Sequence, residues 1–136
     1  MGKSNSKGFT FIEILIALLV LTVAVAAVFE AHRQLNRFSE INRQQNTALD
    51  HLQSMMEMIQ AQAFANLATN FPAGVANKGS APSYNDIVGG LTLTNEQITV
   101  TYPTATAILR EVVVTVQWNG PEGRLLTRSL STMRVE

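Results

Sequence analysis

The chain has 136 residues, 46% of them hydrophobic, with ten basic and ten acidic side chains and no cysteine. That length holds one small domain. The missing cysteines exclude disulfide staples and thiolate metal sites, and a formal net charge of zero lacks the basic footprint of a nucleic-acid binder.

The N-terminus is a polar leader, residues 1–8, carrying Lys3 and Lys7 and ending at Gly8. Phe9–Phe29 follows, 21 residues interrupted only by Thr10, Glu13 and Thr22. As a helix it is about 31 Å long, the thickness of a bilayer core. The lysines ahead of it favour a cytoplasmic N-terminus with the rest of the chain outside. A secretory signal has an apolar region of roughly 7–15 residues followed by a small-x-small cleavage site. Here the run is longer and the glycine precedes it. A carboxylate inside a span costs a few kcal/mol near the bilayer centre and less near the interface, so Glu13 predicts a cationic partner. A plain signal anchor explains span and orientation but neither Gly8 nor Glu13.

Gly8-Phe9-Thr10-Phe11-Ile12-Glu13 closely resembles the processing site of type IV pilins and of the pseudopilins of type II secretion: a basic leader ending in glycine, then Phe, Thr, an apolar pair and Glu. The resemblance implies that prepilin peptidase cuts between Gly8 and Phe9, that Phe9 becomes an N-methylated terminus, and that Glu13 guides subunit assembly. It further implies insertion in the inner membrane, then assembly with other pilin or pseudopilin subunits through the N-terminal helix on an inner-membrane platform. No cofactor is implied. The physics agrees: the cut creates an ammonium at Phe9, and a carboxylate in hydrocarbon is tolerable when paired with a cation. Its own helix N-terminus adds partial positive charge. Removing the leader leaves eight basic against ten acidic residues, a net of −2.

Phe9–Phe71, 63 residues, contains neither glycine nor proline and reads as one long helix. Residues 9–29 form its transmembrane or filament-core part and residues 30–68 its amphipathic continuation. Small residues Ala24, Ala27 and Ala31 permit close helix approach. Leu35, Phe38, Leu49, Leu52, Met56, Ile59 and Ala63 form an apolar stripe at intervals of three and four. Asn42 and Gln45 interrupt it, so that turn is expected to face water or a polar groove, with residues 49–67 docking onto a small head. Met55, Met56 and Met58 read as core filler, and His32 and His51 are too far apart to share a helical turn as a zinc pair. Many pilins kink this helix with a proline. None occurs here before Pro72, which favours a minor pilin or pseudopilin over a main fibre subunit.

Residues 69–136 are expected to form the head. The stretch 70–90 gathers Gly74, Gly79, Gly89, Gly90, Pro72 and Pro82 and reads as loop. Gln97–Tyr102 reads as a strand closed by Pro103. In Ile108–Trp118, Val112, Val114, Val116 and Trp118 alternate with Glu111, Val113, Thr115 and Gln117. Asn119–Gly123 is a turn, and Arg124–Arg134 the returning strand, with Leu126, Leu130 and Met133 on the helix-facing side. So few strands cannot bury an apolar face alone; the amphipathic half of the helix supplies the second layer. The fold class is therefore α+β, a long N-terminal helix on a small antiparallel sheet. The Val-Thr-Val-x-Trp strand with its turn and Thr/Ser-rich last strand looks like minor pilins of the PilV type and the minor pseudopilin I of type II secretion.

An enzyme is not indicated. Asp86, Glu96, Glu111 and Glu122 are scattered, and Ser83, Ser129 and Ser131 have no base at a recognisable spacing. Some pseudopilins bind calcium, but Asn85 and Asp86 offer one acidic side chain in a glycine-rich stretch, and plain loop is the reading. The expected function is a minor pilin of a type IV pilus. The alternatives are a minor pseudopilin of a type II secretion or DNA-uptake system, and a single-span anchored binding or adhesion module.

Overall fold

The computed structural model describes residues 9–74 and 83–136; the leader and residues 75–82 of the glycine-rich loop lie outside the described residues. The order of elements is α1 (Phe11–Ala61), a 3-10 turn (Phe64–Asn66), α2 (Leu67–Asn70), α3 (Tyr84–Ile87), β1 (Gln97–Thr101), β2 (Leu109–Asn119) and β3 (Leu125–Val135). The chain divides into two compact units, residues 1–39 and 40–136. In the first, every described residue is exposed and helical from Phe11 onward. The one polar hydroxyl deep in this apolar run, that of Thr22, donates to the Leu18 carbonyl at 2.7 Å, so the helix satisfies it internally.

The second unit holds the core, an α+β arrangement of helix on sheet. The three strands are antiparallel in the order β1-β2-β3, with Val100 opposite Val114 and Val114 opposite Leu130. Period-two alternation places Val112, Val114, Val116 and Trp118 on one face, all buried, with Ile98 and Val100 beside them. The turn into β3 uses Glu122 and Gly123 at φ of 64° and 74°, the left-handed region that a tight reversal requires. Leu126, opposite Trp118, packs on the core.

Several details depart from the pattern of the sequence. The helix buries Ala48, His51, Leu52, Met55, Met56 and Ile59; Leu52, Met56 and Ile59 of the expected stripe are among them, but Leu49 is 44% exposed and Ala48 takes its place. Leu35 and Phe38 stay 64% and 62% exposed. Ala63 leaves the helix altogether, in extended backbone. Met133 is opposite Glu111 and 56% exposed; the register puts Leu126, Arg128, Leu130, Thr132 and Arg134 on the helix side. The polar turn near Gln45 does not simply face water. Trp118 Nε1 donates to Gln44 Oε1 at 3.1 Å and Arg128 Nη2 to Gln45 Oε1 at 2.9 Å.

The end of α1 at Ala61 needs no glycine or proline because the sheet makes it. Arg134 Nη2 donates to the Gln62 carbonyl at 2.8 Å and Arg110 Nη1 to the Phe64 carbonyl at 3.3 Å. The Arg110 guanidinium also sits 4.7 Å from the Phe64 ring centroid. Both carbonyls lie just beyond the last helical residue, where a cation serves as donor and is also favourable against the macrodipole.

His51 and Glu96 form a buried pair, Nδ1 to Oε1 at 2.5 Å, while Glu96 Oε2 accepts from the Leu93 N–H at 2.9 Å. This ties α1 to the loop that enters β1. Glu96→Ala strands both the imidazole and an amide in the core, and removing one partner of such a pair costs about 3 kcal/mol. Glu96→Gln keeps an acceptor oxygen and is expected to lose less. Thermal melts of the full chain in detergent check the ranking.

Candidate functional site

The candidate site is the start of α1. Thr10 precedes the helix and Glu13 lies in its first turn. The Glu13 N–H reaches the Thr10 carbonyl at 3.1 Å and Thr10 Oγ1 at 3.4 Å; Thr10 N–H in turn reaches Glu13 Oε2 at 3.5 Å. Threonine and glutamate three apart, each closing the other's backbone donor, make a capping box with long bonds. The box satisfies two of the four amides orphaned at a helix start and holds the carboxylate at the positive end of the macrodipole.

Among the described residues, Glu13 Oε1 accepts no hydrogen bond. Phe9 is 81% exposed, and with Glu13, Ile14, Ala17, Leu18 and Leu21 it lines an open, almost wholly apolar groove along the helix. One charged oxygen therefore faces outward at the head of a hydrocarbon face. The geometry can accept a cation at one end while packing an apolar helix along the rest.

Of the residues singled out in sequence, Phe9 and Glu13 are thus brought to one groove, and Gly8 lies outside the described residues. Thr10 joins them as a residue that shapes the site. The signal for it was present: Thr-x-x-Glu directly ahead of an apolar run is the capping-box pattern. Ser83 and Asp86 repeat that device at α3. The Ser83 hydroxyl donates to Asp86 Oδ2 at 2.7 Å, and that hydrogen bond holds the Asp86 carboxyl below its usual range. The Asn85 side-chain oxygen accepts from the Leu91 N–H at 3.1 Å. Asn85 and Asp86 are therefore engaged in shaping the loop. Among the described residues no group of three or more His, Asp or Glu side chains gathers as a metal site.

α1 is long and apolar enough to cross a membrane, and the capped Glu13 carboxylate and its apolar groove stand at its head. Residues 3–29 match the family model for the prokaryotic N-terminal methylation motif, the signal of type IV pilins and pseudopilins. The matched stretch includes Gly8, Phe9 and Glu13. No curated protein and no solved structure matches the chain.

Proposed function

We propose that this chain is a minor pilin of a type IV pilus. It inserts in the inner membrane with its N-terminus cytoplasmic, is cut between Gly8 and Phe9, and is methylated on the new Phe9 amine. Its helix then enters a filament on the inner-membrane assembly platform, with Glu13 taking the Phe9 ammonium of a neighbouring subunit. The observation that carries this reading is the half-engaged Glu13 carboxylate, with Oε2 held by Thr10 and Oε1 open beside an apolar groove. A cation delivered there offsets the few kcal/mol that a carboxylate costs in hydrocarbon. Methylation keeps the amine's charge, so the pairing survives it. The helix without proline from Phe9 to Phe71 supports a minor rather than a main subunit.

Mass spectrometry of the membrane and filament fractions tests the proposal. The expected species begins at Phe9 and carries one extra methyl group. An intact leader with an unmodified Phe9 in both fractions would overturn it.

A further inference from the structure

The two edges of the sheet differ. β1 is five residues long, and its outer edge is engaged where the Gly74 N–H donates to the Val100 carbonyl at 2.8 Å. β3 runs for 11 residues along the opposite edge. The Gly120 N–H donates to the Arg124 carbonyl at 2.8 Å and the Glu136 N–H to the Ile108 carbonyl at 3.1 Å, so even-numbered residues of β3 turn their main-chain groups toward β2. Odd-numbered ones, Thr127, Ser129, Ser131 and Met133 among them, turn theirs outward. These four are exposed, and among the described residues their outward N–H and carbonyl groups meet no partner. No proline interrupts the strand. Such an edge is a template for another strand.

Burial falls off toward the same edge. On the helix-facing side, Ile98, Val100, Val112, Val114 and Val116 are wholly buried, whereas Leu130 of β3 is 37% exposed and Leu49 of α1 44% exposed. Between α1 and β3 lies a groove of about 290 Å³ lined by Gln45, Asn46, Leu49, Leu52, Arg128 and Ser129. Ser129 belongs to the open edge, so the groove meets the unpaired main chain there. Arg128 stands on the helix-facing side and gives one Nη2 donor to Gln45 Oε1. Its other donors face a groove whose lining holds no carboxylate.

We propose that the β3 edge accepts an extended segment of a different protein as a fourth strand, apolar where it passes Leu130 and acidic where it passes Arg128. Main-chain pairing supplies attachment, and the alternate side chains supply selection. β3 carries Arg128 and Arg134 and no acidic residue, so the same edge of a second copy offers like charge and no carboxylate. A one-sided contact of this kind uses each copy once, which suits a minor subunit whose neighbours are unlike it. The contact lies wholly within the 40–136 unit and does not depend on the filament reading above.

The test titrates the full chain in detergent with a blocked peptide, Thr-Glu-Thr-Val-Thr-Val-Thr-Glu-Thr. Its groove-facing row, Glu-Val-Val-Glu, matches Arg128, Leu130, Thr132 and Arg134 in either chain direction. Saturable binding is expected, with hydrogen exchange slowed at the amides of Thr127, Ser129, Ser131 and Met133 and unchanged along β1. Lysine in place of both peptide glutamates should weaken binding at least tenfold, and Arg128→Glu should reverse that preference. Ser129→Pro removes an outward N–H while sparing the ladder to β2, and it should abolish binding. A fully N-methylated peptide, which cannot donate, makes the same test without altering the protein. No saturation at millimolar peptide, equal binding of the lysine peptide, or binding that leaves the edge amides exchanging freely overturns the proposal. So does slowed exchange at those amides when the chain alone is concentrated, which makes a second copy the occupant.

Discussion

Glu13→Ala is expected to leave membrane insertion and leader removal intact while cutting incorporation into filaments by two to three orders of magnitude. In the proposed filament the neighbour's Phe9 ammonium is buried among apolar helices. Deleting its carboxylate there leaves an uncompensated charge, at a cost of about 3–4 kcal/mol, or roughly 10²–10³ in an association constant. Glu13 has a second role, because its Oε2 also accepts the Thr10 N–H. Glu13→Gln separates the two: it keeps an acceptor for the cap and loses the charge. If charge pairing governs assembly, Gln behaves like Ala. If capping governs it, Gln behaves like Glu and Thr10→Ala becomes the damaging change, at about 1 kcal/mol of helix stability. Quantifying the processed protein in membrane and sheared fractions distinguishes these, and assembly of Glu13→Gln at the native level would remove the charge argument.

The second large effect belongs to Trp118. It is among the largest fully buried side chains, and its Nε1 anchors on Gln44, which itself donates to Glu40 Oε1 at 2.9 Å. Trp118→Ala removes the transfer free energy of the ring, opens a cavity between α1 and β2 and orphans the Gln44 oxygen, about 4 kcal/mol together. A domain of this size has about 5–10 kcal/mol in total, so the variant is expected to melt far lower in detergent and to be digested within the sheet by added protease. Thr115→Ala, on the opposite face of the same strand, should change the melt by no more than a degree or two. Equal losses at the two positions would contradict the assignment of faces.

What the sequence revealed follows from the range of the forces involved. The alternation Val112, Val114, Val116, Trp118 was legible because side-chain direction in a strand depends only on parity. The methylation motif over residues 3–29 was legible because its signal is local and linear. The end of α1 was not, because the groups that stop it, Arg134 and Arg110, stand 72 and 46 residues from the carbonyls they bind. The His51–Glu96 pair spans 45 residues and leaves no local trace; a lone histidine on an amphipathic helix reads as surface. The interval of three from Leu52 leads to Leu49, and an alanine gives no comparable apolar signal. The helix instead buries the smaller residue, which permits a closer approach to the sheet. Met133 cannot share the helix-facing side with Leu126 and Leu130, because it differs from them in parity along one strand; it lies opposite Glu111 on the outer face.

That remote stop also sets a timetable. During synthesis the helix is made long before the arginine that meets its end. Until Arg134 has been added, nothing from β3 holds the Gln62 carbonyl, and the residues after Ala61 are free to extend the helix or fray. The 40–136 unit therefore closes only when its last strand arrives.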